Sequence, residues 1–394
     1  MKILLAFDKF KDAAGAAELC RAGASTLAEE GLSPDVRMLP LTDGGEGFAT
    51  LLTQSIDGVI RRSPVTGPCG EIQDAAWGVV EGEQIPSGAR DFLFRGKPPR
   101  RVALVEMAQA AGLEQVSAEQ RDPFATTTFG VGQLLAEASR EVELIVLGLG
   151  GSATNDLGIG ALGALGLRAG DVSVADRCPQ WVFPKNWPLP EGALQWKTKE
   201  KRPPVVAACD VDNPLFGPRG AIRGFGPQKG LVTEEGLVRM ETVCLKMAEL
   251  VEVLSGRTPK YREGPGSGAA GGISWGLGNF LSLRRVSGAE LVAAWQEWER
   301  LTDWADLVIT GEGCVDEGFY SGKGPGALAR MAMAKETPVK VLAGKVMEGV
   351  RKHPLAKEGQ IQFYGLNPPD EPLEISLSQT LPRLQKTLRD CLSS

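Results

Sequence analysis

The chain has 394 residues, 43% hydrophobic and 23% charged, with 43 Lys and Arg against 49 Asp and Glu for a net charge of -6. That composition belongs to a folded globular protein with chain enough for two or three domains, and it excludes a disordered or fibrous one. The acidic balance, with no basic run, argues against a general nucleic-acid binder, which needs a cationic surface to displace phosphate counterions.

The apolar run Lys2 to Phe7 is expected as a buried strand, ended by Asp8. A helix follows, with Ala16, Leu19, Cys20, Gly23 and Leu27 on one face and Gly31 as its stop before Pro34. Val36 to Leu41 is a second strand, and Asp43-Gly44-Gly45-Glu46-Gly47 opens a second helix through Ile56. This β-α-β-α start is the signature of a parallel sheet. From about Pro64 the texture changes to short pieces punctuated by Gly and Pro, with strands expected at Val102 to Met107, Glu143 to Leu149 and Val205 to Cys209. The longest helix is expected from an N-cap at Thr233, with Glu234 and Glu235 in its first turn, to Gly256. Near Ser287 the regular pattern resumes: Ser287 and Glu290 have capping-box spacing before a helix to Leu301. Strands at Asp306 to Thr310, Val339 to Ala343 and Ile361 to Tyr364 then alternate with helices at Gly324 to Ala334 and Leu381 to Leu392.

The fold class is therefore α/β. A discontinuous doubly wound domain, residues 1–64 and 286–394, carries residues 65–285 as an inserted domain. In such sheets ligands bind outside the carboxyl ends of the strands. In the outer domain those ends carry Asp8 and Lys11, the 43–47 loop, Glu312 with Asp316, and Lys345.

No segment approaches the ~20 apolar residues that span a bilayer, and Ile3 to Phe7 is too short for a signal-peptide core of roughly 7 to 15 residues. A cytoplasmic protein without membrane or nucleic-acid partners is expected. Cysteines 20, 69, 178, 209, 244, 314 and 391 form no C-x-x-C pair and imply neither a zinc knuckle nor a disulfide framework. The single histidine, His353, leaves no multi-histidine metal site and only itself for a nucleophilic triad.

Glycine is enriched, at 50 residues, and clusters in loops after apolar runs. Gly148 to Asp156 follows a strand; glycines let backbone N–H groups approach an anion, and a helix start would add its dipole. The same stretch satisfies the dinucleotide fingerprint, with Asp176 spaced for a ribose contact, and it also reads as a tight structural turn. Gly318 to Gly324 fails as a P-loop: only three residues separate Gly318 from Gly322, and Gly324 follows Lys323 where Ser or Thr is required. Lys323 could still meet a phosphate as a point charge. Asp210, Asp212 and Asn213 end a strand with ligands suited to magnesium or a general base, or form an Asx turn ahead of Pro214. Gly264 to Gly272 requires a hinge or a close backbone approach. Acidic residues, lysines and glycine loops without a histidine relay point to phosphoryl transfer, which needs positioning and charge stabilisation more than covalent chemistry.

The ordered set of motifs resembles the class I glycerate kinases (glycerate 2-kinases) over nearly the whole chain. The residues concerned are Asp8-x-Phe10-Lys11, Asp43 to Gly47, Glu106-Met107-Ala108, Thr127 to Gly132 and Gly150 to Asp156. Cys209 to Leu215, Phe225 to Gly230, Gly268 to Gly272 and Asp306 to Gly313 follow, with Asp316, Gly322, Lys323 and Pro325 in register. The resemblance implies an ATP- and Mg²⁺-dependent kinase of glycerate with two α/β domains, one flavodoxin-like, and the active site in the cleft between them. On it rest Gly150, Gly151, Ser152, Ala153, Thr154, Asn155 and Asp156 as nucleotide-binding residues, and Lys11 and Lys323 as charge stabilisers. Asp210 is expected as general base, Asp43 and Asp316 as magnesium or base candidates, and Asp8, Glu46, Asn213, Lys229 and Glu312 as substrate contacts. Lys9, Ala13, Phe48, Gly318 and Phe319 depart from the family's usual hydroxyl or amide residues and bear on which acceptor is used, since hydroxyl-binding groups discriminate strongly. Another small hydroxy acid, transfer to the 3-hydroxyl, a nicotinamide-dependent dehydrogenase or a binding protein without turnover are the alternatives. A homo-oligomer is left open.

Overall fold

The computed structural model describes residues 1–29, 35–169, 172–173, 194–198, 200–320, 322, 324–356 and 359–393. The chain divides into two compact units, Met1–Asp43 with Ala293–Ser394, and Gly44–Val292. Among the described residues no helix is long and apolar enough to cross a membrane.

The first unit is built on five parallel strands in the spatial order Ile361–Gly365, Val339–Ala343, Leu307–Gly311, Lys2–Phe7, Asp35–Met38. Counted along the chain this is 2-1-3-4-5, the flavodoxin-like order. Each of the five expected strands is present. Ile3, Leu5 and Phe7 pack with Leu19 and Leu27 of helix Ala16–Glu29 and with Leu384 and Leu388 of helix Thr380–Ser393. The alternate residues Leu4, Ala6 and Val308 are buried too, so both faces of the sheet are covered, as a parallel sheet requires. The direction of connection reverses between strands Lys2–Phe7 and Leu307–Gly311, whose register pairs Phe7 with Gly311. The residues that follow these two strands are Asp8 and Glu312. They stand at the topological switch point, where ligands bind in sheets of this kind.

The second unit has six strands in the order Leu283–Val286, Val205–Ala208, Leu144–Gly148, Arg101–Glu106, Ile72–Glu81, Val59–Thr66. The first four are parallel and the hairpin Val59–Glu81 is antiparallel. Its core joins Trp77, Val105, Ile145 and Leu147 of the sheet to Val131, Leu162, Met247 and Trp275 of the surrounding helices. The helix expected from Thr233 is Glu234–Ser255: the Thr233 hydroxyl accepts the N–H of Gly236, and Gly256 closes the other end at φ 69°.

The compact units divide after Asp43 and Val292, beside expected domain boundaries near 64 and 286; the hairpin Val59–Glu81 lies in the second sheet and helix Phe48–Gln54 packs against it. Two helix expectations are corrected. The helix expected from Ser287 to Leu301 is two, Gly288–Trp295 and Trp298–Trp304, broken where Glu297 turns left-handed at φ 52°. The helix expected from the 43–47 loop to Ile56 is shorter, Phe48–Gln54.

Candidate functional site

At the switch point of the first unit, burial crowds carboxylates together. Asp8 is pushed up from 3.8 to about 6, first by burial and further by Asp43, against the Lys9 N–H that donates to its Oδ1 at 2.7 Å. Glu312 is pushed up from 4.5 to about 7, by burial and then by Asp8 and Asp316. Asp316 and Asp43 are exposed, and Asp316 Oδ1 accepts the Gly318 N–H at 2.8 Å. Lys11 is exposed on the turn after Phe10. Lys323 lies outside the described residues. The next helix, Pro325–Ala334, begins at Gly324, where a β-carbon would lie 3.4 Å from Asp8 Oδ2.

Like charges this close raise one another's pKa, and a cation relieves them. The donors are hard oxygens, the set magnesium prefers. Among the described residues no three His, Cys, Asp or Glu side chains are arranged to enclose a metal. Such oxygens would hold magnesium through one or two carboxylates, with its remaining positions on water.

The second unit uses its charges differently. Gly150 and Gly151 are the part of the 150–156 loop that reaches the surface, and Gly151 sits at φ 72°. Ser152, Ala153, Thr154, Asn155 and Asp156 are all buried. Beneath them lies Lys229, 2% exposed, whose Nζ donates to Ser152 Oγ at 2.8 Å, the Thr154 carbonyl at 2.7 Å and Asn155 Oδ1 at 3.4 Å. Burial lowers the Lys229 pKa to about 7, and Asp156 works against that shift. Lys229 thus braces the loop from inside.

Asp156 is also an internal strut. Its Oδ2 accepts from the Thr128 N–H (2.9 Å), the Thr128 hydroxyl (2.8 Å) and the Gly160 N–H (3.1 Å), while Oδ1 accepts from Gly158 N–H at 3.0 Å. Those bonds occupy the start of helix Ile159–Leu165. The helix expected to open at the glycine loop begins further on, at Ile159, and its first N–H groups are taken inside the protein by Asp156 and, at Ala161, by the Thr128 hydroxyl. What the loop offers an anion is the backbone N–H of Gly151 and Ser152, since the Gly150 N–H is bonded within the protein.

Glycine is required here by close approach. A β-carbon at Gly150 would lie 2.4 Å from Gly45 Cα, and the Gly150 N–H donates to the Gly44 carbonyl at 3.0 Å. The two glycine loops are thereby tied together, with Glu46 beside Gly151. The expected close-approach segment is found at Ala270, Gly271 and Gly272, three successive left-handed residues at φ 52°, 69° and 94°. A β-carbon at Gly271 would stand 1.9 Å from the Thr154 carbonyl oxygen.

Asp210 follows strand Val205–Ala208 and is half-buried. Its Oδ1 accepts from the Ser287 hydroxyl at 3.0 Å and its Oδ2 from the Ala289 N–H at 2.9 Å, which fixes the carboxylate at the start of helix Gly288–Trp295. The Asn213 amide donates to the Arg219 carbonyl at 2.7 Å. The sequence reading gave no role to Glu106, which is fully buried and takes the N–H groups of Gly47 and Ala49. A lone acid closing an apolar strand was the available signal.

Several departures from the family pattern are packing residues. Phe48 is fully buried and Phe319 4% exposed, the latter edge-on to Phe363 at 5.7 Å. Ala13 packs against the core of the first unit. His353 stacks on the Tyr320 ring at 4.4 Å, which accounts for the one histidine without catalysis. Asp176, needed for the dinucleotide reading, lies outside the described residues.

A family model described as the glycerate kinase family matches residues 3–393. A glycerate kinase of Bacillus subtilis (strain 168) is 34% identical over 396 residues, covering 100% of this chain and 97% of the relative. A glycerate 2-kinase of Escherichia coli (strain K12) is 35% identical over 353 residues, 89% of this chain and 87% of the relative. The crystal structure of a putative glycerate kinase 2 from Salmonella typhimurium LT2 superposes with a TM-score of 0.73 at 33% identity, covering 100% of this chain and 97% of that one. The chain belongs to the glycerate kinase family.

Proposed function

We propose that the protein transfers the γ-phosphoryl group of ATP to the 2-hydroxyl of D-glycerate, giving 2-phosphoglycerate and ADP. The observation that carries this reading is the family match from residue 3 to 393, with the glycine loop and the switch-point carboxylates both in place. The 2-position is carried over from the relative named a glycerate 2-kinase.

In this reading the Gly151 and Ser152 N–H groups hold nucleotide phosphate, with Gly150 giving the close approach while its own N–H is bonded to the Gly44 carbonyl, and Lys11 and Lys323 offset charge on phosphate or carboxylate. Asp43 and Asp316 would hold magnesium, which supplies charge neutralisation to the phosphates. The glycerate 2-oxygen bonds to the γ-phosphorus as the bond from that phosphorus to the β,γ-bridging oxygen breaks, and ADP leaves with its electron pair. The hydroxyl proton passes to a carboxylate. Asp210 is the assigned base, oriented by Ser287 and Ala289. Glu312 is its rival, because a carboxyl held near pH 7 is well matched to proton acceptance at neutrality. Asp8, Glu46, Asn213 and Glu312 remain the proposed acceptor contacts, whereas the burial of Lys229 suits it to support of the loop.

The test is ADP release from ATP and Mg²⁺ with D-glycerate, the product position read by phosphorus NMR. Formation of 2-phosphoglycerate is expected. A 3-phosphorylated product would reassign the position, turnover only with another hydroxy acid would reassign the acceptor, and NADH binding without ADP release would revive the dehydrogenase reading.

A further inference from the structure

Strand Arg101–Glu106 ends on a carboxylate that nothing in the reaction requires. Its Oε1 accepts the Gly47 N–H at 3.1 Å and its Oε2 the Ala49 N–H at 3.2 Å, and the Gln109 side chain gives it a third hydrogen bond. Glu106 is also the register partner of Gly148, the last residue of the strand that feeds the 150–156 loop. Met107 N–H donates to the Gly148 carbonyl at 3.0 Å. The loop that Glu106 holds is the one whose Gly44 carbonyl receives the Gly150 N–H. One side chain therefore stands between both glycine loops.

We infer that Glu106 is the positioning residue of the phosphate-binding edge: its carboxylate anchors the 44–49 turn, and through Gly44 and Gly150 that turn fixes the glycine loop. The charge is held at a cost. Burial is the main influence raising its pKa, to about 7, with Glu46 adding to it, while the two N–H donors and Gln109 oppose the rise. A hydrophobic residue would suit a 0% exposed strand end better, so an acid kept there points to the backbone bonds it makes. Gly47 needs that anchor: it is left-handed at φ 86° directly before helix Phe48–Gln54, whose first N–H groups have no partner within the helix.

This inference rests on the kinase reading for its activity readout, so the experiment carries a second one. In Glu106→Gln the amide keeps one acceptor oxygen and turns an NH₂ toward a backbone N–H. Hydrogen exchange across 44–49 and 148–152 should quicken by about tenfold or more, the scale of one lost hydrogen bond to a charged group. Turnover per folded molecule should fall by a similar factor while KM for glycerate moves less than about threefold, the split expected when geometry in the transition state is lost and ground-state binding is kept. Gln109→Leu, which removes that donor together with the acceptor of the Ala76 N–H and leaves the carboxylate, should move both readouts in the same direction by less, and it serves if the first variant does not fold. Unchanged exchange in 44–49 would overturn the inference, as would a lower yield of folded protein with unaltered kcat. Absence of wild-type turnover alongside quickened exchange would sink the kinase reading alone.

Discussion

The two units hold their charged groups in opposite ways. In the first, Asp8 and Glu312 are pushed up to about 6 and about 7 by burial and by their acidic neighbours. In the second, Glu106, Asp156 and Lys229 are more deeply buried, yet each is met by backbone or hydroxyl partners. A charge left beside its like asks for a ligand; a charge closed into hydrogen bonds shapes the backbone around it. The first unit is thus expected to lose function without losing stability when its carboxylates are changed, and the second to lose both.

The sharpest test is at the carboxylates proposed for chemistry. Asp43→Asn and Asp210→Asn are each expected to lower kcat by about 10² or more, the usual scale for acid–base groups, measured as ADP release at saturating substrates. Asp43→Asn should leave the thermal midpoint near that of the parent, whereas Asp210→Asn, which turns an NH₂ toward either Ser287 or Ala289, should lower it. Equal midpoints would blur the contrast between the units.

Lys229→Met comes next. It leaves the Thr154 carbonyl, Ser152 Oγ and Asn155 Oδ1 without their buried donor. A loss of about 3 kcal/mol in denaturant unfolding is expected, the scale of breaking bonds to a buried charge, accompanied by loss of activity. A stable and active variant would mean that the loop holds itself.

Glu312→Gln should act through pH. In the unfolded chain this carboxyl ionises near 4.5, in the folded protein near 7, so the folded state retains the proton longer and stability falls as pH rises between those values. The variant should therefore gain stability over the parent at pH 8 and show none of that gain at pH 4. Magnesium should likewise raise the parent's midpoint more at pH 8 than at pH 5.5. A uniform shift at both would argue against the carboxylates as its site. The smallest effect is expected far from either edge: Thr233→Ala removes the N-cap bond to Gly236, costing about 1 kcal/mol with turnover unchanged.

The same contrast explains what could be read from the sequence. The strands of the first unit are continuous apolar runs because both faces of their sheet are buried, and they announce themselves. The hairpin Val59–Glu81 escaped because Val59–Thr66 is an edge strand, largely exposed, with Arg61 and Arg62 outward and Pro64 tolerated where no further strand pairs. Loop residues were legible by type and order but not by burial. Nothing in Gly226-Pro227-Gln228-Lys229 distinguishes a lysine that meets substrate from one that meets the underside of a loop. Glu106 was hidden for a related reason, since its two backbone partners lie more than fifty residues away and leave no local spacing.

The stack of His353 on Tyr320 has a practical use. With one histidine in the sequence, the imidazole gives a single pair of ring-proton resonances, assigned without isotopes or mutagenesis. The aromatic face beneath it moves those resonances by ring current, and Tyr320 closes the turn Glu317–Tyr320 that follows Asp316. The protein thus carries a native spectroscopic label stacked on a ring that lies a few residues from a proposed metal carboxylate, so a one-dimensional spectrum can follow magnesium and nucleotide titrations in the unmodified chain.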